Sequence, residues 1–298
     1  MINLHEIRYV RLGTRNLDAA AEYATRILGL QQVRREGNAL YFRSDSRDHT
    51  LVYYDGDPRK HSTAFQVTSQ EEMDAAASTL EDMKVPVHRG TKAECEQRYV
   101  ESMIGFDDPS GNSIELVYRP QASGWRYFPT RDAGITGFSH IGLRSADPGR
   151  DEKFWTHVCN ARVSDRVGSS PLLRINEVHH TIALFPSDYA GVQHINHQTA
   201  SFDDIMRSWY FLKEKGVRIV FGPGRHPTSG AIFLYFEGPD GMVYEYSTGV
   251  KLISPEEEKT YEPRQFPFEP AGLCMWGSKP DIREFKETDT GAWPVKAA

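Results

Sequence analysis

The sequence predicts an α+β fold of four βαβββ modules, paired into two similar domains, each an open mixed sheet around a concave cavity. Three features carry that expectation: a segment that recurs four times, strand-like runs after each recurrence, and a Pro-, Gly- and Ser-bearing stretch midway. Aligned without gaps, "HIGLRSADPGRDEKFWTHV" from His140 and "HINHQTASFDDIMRSWYFL" from His194 match His140 to His194, Ser145-Ala146 to Thr199-Ala200 and Trp155 to Trp209. Each copy reads as a short strand, a polar turn and an amphipathic helix. Self-similarity on this scale marks a duplicated structural unit.

The N-terminal half holds two more copies, "YVRLGTRNLDAAAEYATRILGL" from Tyr9 and "HSTAFQVTSQEEMDAAASTLEDMKV" from His61. "RDHTLVYY" (47–54) matches "VHHTIALF" (178–185), and "DDPSGNSIELVY" (107–118) matches "EGPDGMVYEYST" (237–248). The runs "ALYFRS", "LLRIN", "HTIALF" and "IFLYFEGPDG" alternate or stay apolar and end in turn residues, which is a strand and hairpin pattern. Residues 1–120 are expected to form one domain of two modules and 121–136 a linker. Residues 137–252 are expected to form the second domain of two modules, taken as the catalytic one on the histidines described below, and 253–298 an extension without clear period that wraps the surface.

Composition excludes several function classes. The chain of 298 residues carries a net charge of −6, so no basic excess is available to neutralise nucleic-acid phosphates. Neither a signal-peptide core nor an apolar run of membrane-spanning length is present in the sequence. The three cysteines, Cys95, Cys159 and Cys274, have no CxxC spacing and fit neither a disulfide framework nor a zinc knuckle. A reducing cytoplasm is the expected location.

Histidine clusters carry the chemistry. Successive side chains of a strand point to opposite faces, so in "HINH" His194 and His197 cannot reach one metal together. The repeat aligns His194 with His140, which makes His194 the ligand candidate and His197 a structural residue. In "GMVYEYSTG", Glu245 points away from the face of Tyr244 and Tyr246. It is either an edge charge or the third ligand. Two imidazoles and one carboxylate with open positions suit non-haem Fe(II), with Mn(II) as an alternative, over a closed zinc site.

His179 and His180 are adjacent, and the N-terminal copy keeps only the second as His49, which favours His180 as the one facing the site. It is a general acid or base beside the metal, or half of a cross-strand polar pair. His226, on a Gly- and Pro-rich loop, and Tyr235, in the strand after it, are candidate substrate contacts; Tyr235 also fits an ordinary strand aromatic. Phe185, Tyr189 and Phe233 line a pocket or fill the core.

In order and spacing, "GFSHIGL", "VHHTIAL", "GVQHINHQTASFDD", "GPGRHPTSGAIFLYFEGPDG" and "YEY" resemble the type I extradiol ring-cleaving dioxygenases of the vicinal oxygen chelate superfamily, the family of 2,3-dihydroxybiphenyl 1,2-dioxygenases and catechol 2,3-dioxygenases. The resemblance spans about residues 5–250. It implies extradiol (meta) cleavage of a substituted or bicyclic catechol by O2 at an Fe(II) centre, in the degradation of aromatic compounds. It implies His140, His194 and Glu245 as metal ligands, His180 as the catalytic acid–base residue, and His226 and Tyr235 as either supports just outside the ligand set or contacts of the substrate hydroxyls. An acidic residue often follows the loop histidine at the position held here by Ser229. With Tyr9 in the place of His140, the first half retains His49, His61 and Glu115 but lacks one ligand, so a single metal in the second half is expected. The partner is a small catechol, with neither nucleic acid nor membrane, and the family habit is a homo-oligomer. Two other readings compete: a non-oxidative enzyme of the superfamily, glyoxalase-like, and a ligand-sequestering binding protein without a metal.

Overall fold

The computed structural model describes residues 1–285; the remainder of the 253–298 extension lies outside the described residues. The first sheet holds β1 (Glu6–Thr14), β2 (Gln31–Glu36), β3 (Ala39–Arg43), β4 (Leu51–Asp55), β5 (His61–Val67), β6 (His88–Arg89), β7 (Ser102–Asp107) and β8 (Ser113–Tyr118). The second holds β9 (Ile135–Ser145), β10 (Arg162–Val167), β11 (Ser170–Arg174), β12 (Ile182–Pro186), β13 (Val192–Thr199), β14 (Ile219–Arg225), β15 (Ile232–Glu237), β16 (Val243–Thr248) and β17 (Arg264–Phe266).

The strand orders are β2-β3-β4-β1-β5-β8-β7-β6 and β14-β15-β16-β13-β9-β12-β11-β10-β17. In each sheet the leading strands of two modules pair antiparallel at the centre, β1 with β5 and β9 with β13, and each also runs parallel to the last strand of its own module. Each sheet is therefore mixed, and four βαβββ units make two similar halves.

After each leading strand a polar side chain caps a helix. Asn16, Ser69, Asp147 and Ser201 accept from the backbone N–H groups of Ala19, Glu72, Arg150 and Asp204, starting α1 (Leu17–Glu22), α2 (Gln70–Asp82), α4 (Pro148–Lys153) and α5 (Phe202–Glu214). Such caps satisfy backbone donors that a helix start leaves open. A further helix, α3 (Lys92–Arg98), lies between β6 and β7 and opens with a capping box at Thr91 and Glu94.

A continuous apolar core joins the halves. Val10, Leu12 and Phe65 of the first sheet belong to the same buried cluster as Ile141, Leu143, Tyr244 and Tyr246 of the second and Trp155 just after α4. Tyr244 meets the hydroxyl of Tyr53, and Tyr246 donates to Leu28 O at 2.8 Å. Period-two alternation thus gives β16 two jobs, since Tyr244 and Tyr246 fasten the halves together while Glu245 faces the other way.

Two expectations are corrected. The extension does not merely wrap the surface: β17 adds to the sheet beside β10, and Leu273, Cys274, Ile282 and Phe285 are buried against Phe221, Phe233 and Tyr235. Nor does His61 occupy the place of His194. Ala64 pairs with Tyr9 and Glu115, as Asn196 pairs with His140 and Glu245, so the residue equivalent to His194 is Ser62.

Candidate metal centre

His140 on β9, His194 on β13 and Glu245 on β16 converge on the open face of the second sheet, all three buried. Their ligand atoms lie within 4.8 Å of one another, and among the described residues this is the one such group. The two Nε2 atoms are 3.1 Å apart, and Glu245 Oε2 lies 2.9 Å from His140 Nε2 and 3.5 Å from His194 Nε2. Adjacent central strands make this convergence possible: Asn196 pairs with both His140 and Glu245, and two residues back on β13 His194 stands across from Gly142 and Val243.

The donor set fits a divalent cation. Gln193 Oε1 accepts from His194 Nδ1, which leaves the Nε2 lone pair aimed into the cluster. Glu245 Oε2 is buried without a hydrogen-bond donor despite its closeness to His140. A buried polar atom left unpaired is costly, and a cation coordinated by all three groups removes that cost. Burial drives the His194 pKa down to about 3, so the ring is neutral and able to ligate. Burial alone would raise Glu245, but His140 first and then its other imidazole neighbours hold it well below the usual carboxylate range. A methyl group at Gly142 would collide with His194 Nδ1 and Gln193 Oε1, so the absence of a side chain there lets the ligand and its supporting amide approach β9.

Beside this triad stand the other sequence candidates. His180, in the loop between β11 and β12, packs against His140 with ring centroids 4.3 Å apart and the planes tilted by 44°. Burial first, then the neighbouring imidazoles, push its pKa well below the ordinary histidine value, so it stands neutral. On the opposite flank, His226 Nε2 lies 3.2 Å from the Tyr235 hydroxyl and 3.6 Å from Glu245 Oε1. His226 Nδ1 donates to Leu273 O at 2.9 Å, so its Nε2 is the acceptor facing Tyr235. Burial raises the Tyr235 pKa well above the usual phenol value and keeps it an O–H donor. All six predicted site residues therefore lie together.

The rest sort as follows. His197 points away from the cluster and packs on Phe138. Ser229 is buried and takes part in the loop's own turn through Ala231 N. Phe185 and Phe233 join the wall formed with Phe221, Tyr235 and Phe285. Tyr189 is 44% exposed and lies over Arg144, outside that wall. Gln193, Gly142 and the Leu273 carbonyl were not legible as site groups in the sequence. Gln193 carried the one available signal, as a polar residue directly preceding a ligand histidine.

Residues 6–116 and 137–246 match the model of a family described as the Glyoxalase/Bleomycin resistance protein/Dioxygenase superfamily. A biphenyl-2,3-diol 1,2-dioxygenase of Sphingomonas paucimobilis is 24% identical over 277 residues, 87% of this chain and 92% of that protein. An iron-dependent extradiol dioxygenase of Rhodococcus jostii (strain RHA1) is 23% identical over 301 residues, covering 93% of this chain and 97% of its own length. The crystal structure of a Mn(II)-bound glyoxalase from Novosphingobium aromaticivorans superposes with a TM-score of 0.83 at 27% identity, over 93% of this chain and 92% of that one.

Proposed function

Because the chain belongs to the Glyoxalase/Bleomycin resistance protein/Dioxygenase superfamily, we propose that it is an extradiol dioxygenase that opens a catecholic ring next to its two hydroxyls with O2. The observation that carries the reading is the placement of proton-handling groups around one His/His/Glu set: His180 packed against His140, and His226 with Tyr235 beside Glu245. Fe(II) is the metal of this reading, with Mn(II) as the substitute that the same donors accept. The substrate is a substituted or bicyclic catechol. The relative named for biphenyl-2,3-diol supports that class, as does the aromatic wall of Phe185, Phe221, Phe233 and Phe285 beside the ligands. No helix among the described residues is long and apolar enough to cross a membrane. We assign a cytoplasmic, homo-oligomeric catabolic enzyme.

His140, His194 and Glu245 would hold the metal. When bound, it supplies a Lewis acid and redox centre that lowers the pKa of catechol hydroxyls and brings diol and oxygen together. The chain does the remainder. His180, neutral at its site, takes a hydroxyl proton and later returns it. Tyr235 keeps its O–H as a hydrogen-bond donor, with His226 held by Leu273 to accept from it or from the substrate. Burial of the ligand set excludes bulk water from the cleavage step.

Oxygen uptake by anaerobically Fe(II)-loaded protein, with a panel of mono- and bicyclic catechols, tests this. Equimolar loss of oxygen and catechol with a yellow product is expected. A second reading, a non-oxidative glyoxalase-like enzyme, is favoured by the 27% identity to the Mn(II)-bound glyoxalase. Full metal loading with no oxygen uptake from any diol would replace the first reading by the second.

A further inference from the structure

His180 is the visible end of a buried chain of groups. Its Nδ1 lies 3.1 Å from Nδ1 of His179, and Nε2 of His179 lies 2.8 Å from Asp165 Oδ2 on β10. Asp165 also accepts from Arg264 on β17: Oδ1 takes the backbone N at 2.9 Å and Nε at 3.0 Å, and Oδ2 takes Nη2 at 2.7 Å. The His179 and Asp165 side chains are both fully buried.

The chemistry of the donors fixes the protons along this chain. An ionised carboxylate only accepts, so the His179 nitrogen facing Asp165 carries its hydrogen. The Asp165 charge is already met by Arg264, and burial keeps His179 below the ordinary histidine pKa, so its ring is neutral and Nδ1 is bare. A bare Nδ1 opposite His180 requires the hydrogen to sit on His180 Nδ1. The lone pair of His180 is then on Nε2.

The first half offers an internal comparison. Asp48 stands where His179 stands, and its Oδ2 contacts His49 Nδ1 directly at 2.9 Å. In the second half an imidazole is interposed. It passes on orientation without placing a carboxylate charge against the ring.

We propose that His179 and Asp165 are positioning residues, which hold His180 in the tautomer whose Nε2 can accept a catechol proton. Arg264 brings the C-terminal extension into the same chain. The inference rests on the ring-cleavage reading of the site.

Three full-length variants, each loaded with Fe(II), test it. H179L removes the acceptor for His180. H179N keeps an amide oxygen close to the place of Nδ1. H179Q carries its amide further, toward Asp165, and gives up the contact to His180. Turnover of H179L is expected to fall roughly 100-fold, the scale of acid–base assistance, while bound metal and anaerobic catechol affinity stay at wild-type values. H179N should regain on the order of tenfold over H179L, with H179Q remaining low. Wild-type turnover in H179L overturns the inference. If H179L does not fold, H179N against H179Q decides, and H179Q at or above H179N overturns it. Absence of oxygen uptake by the wild type removes the ring-cleavage reading and this inference with it, an outcome distinct from variants that match an active wild type.

Discussion

The Arg98 guanidinium holds both oxygens of Glu115, Nε to Oε2 at 2.9 Å and Nη2 to Oε1 at 2.8 Å. Glu115 has the register position of Glu245, and the groups around it match the second half one for one. Tyr9, in the place of His140, donates to Oε2 at 2.7 Å, and Ser62, in the place of His194, donates to Oε1 at 2.9 Å. The first half has kept a buried carboxylate and surrounded it with donors. A guanidinium from α3 supplies the positive charge that a metal supplies in the proposed centre.

Arg98→Met should therefore destabilise the whole protein, because it strands a buried carboxylate. Loss of one partner of such a pair costs about 3–5 kcal/mol. Urea unfolding measures this, and the folded fraction should keep wild-type metal content and turnover. An unchanged unfolding midpoint would show that Glu115 finds its charge balance elsewhere.

Gln193→Leu probes the support behind a ligand. Without the Gln193 oxygen, His194 Nδ1 has no fixed acceptor and the ring loses its preferred tautomer. Removal of such an outer partner typically weakens metal binding roughly 10–100-fold. A chelator competition titration reads that change, and turnover at saturating metal should recover most of its wild-type value. Equal metal affinity in the two proteins would deny Gln193 this role.

His180→Ala and Glu245→Gln separate chemistry from metal binding. His180 contacts a ligand ring but is outside the ligand group. Its loss should cost roughly 10²–10⁴-fold in turnover and leave bound iron near stoichiometric. Glu245→Gln removes the charge of the set and should abolish both. The pair of results is read from metal analysis alongside oxygen uptake, and retention of turnover in His180→Ala would refute its assignment.

The site was legible where period-two alternation and the repeat agreed. His140 and His194 lead equivalent strands, and Glu245 sits between tyrosines whose face is committed to the other half. His61 misled because one extra residue separates it from its helix cap. Ser201 follows His194 by the interval at which Ser69 follows Ser62, and a shift of one residue turns a side chain to the opposite face. His61 consequently faces the junction of the halves, where its Nδ1 accepts from Val192 N at 3.0 Å. The contributions of the extension were illegible for a different reason. Leu273 acts through its carbonyl, which carries no sequence signal, and Asp165 meets Arg264 across 99 residues of chain.

His197 gives the site strand a pH signature of its own. The ring is fully buried against Phe138, and both of its nitrogens lack partners. Burial lowers its pKa to about 4, from 6.5 in the unfolded chain. Between those values the unfolded chain binds a proton that the folded ring refuses, so stability rises with pH through this window. The contribution is complete above 6.5 and is lost as pH falls toward 4. A shift of this size corresponds to about 3 kcal/mol. His61, lowered to about 4, and His194, lowered to about 3, add slopes of the same sign, so the wild type should lose more than this in total. His197→Leu, similar in volume and free of unpaired nitrogens, isolates one share. Urea unfolding at about pH 7 and about pH 4 should give a pH-dependent loss roughly 3 kcal/mol smaller in the variant than in the wild type. Equal losses in the two proteins would mean that His197 takes up its proton inside the fold, through an opening of the strand next to the metal ligands.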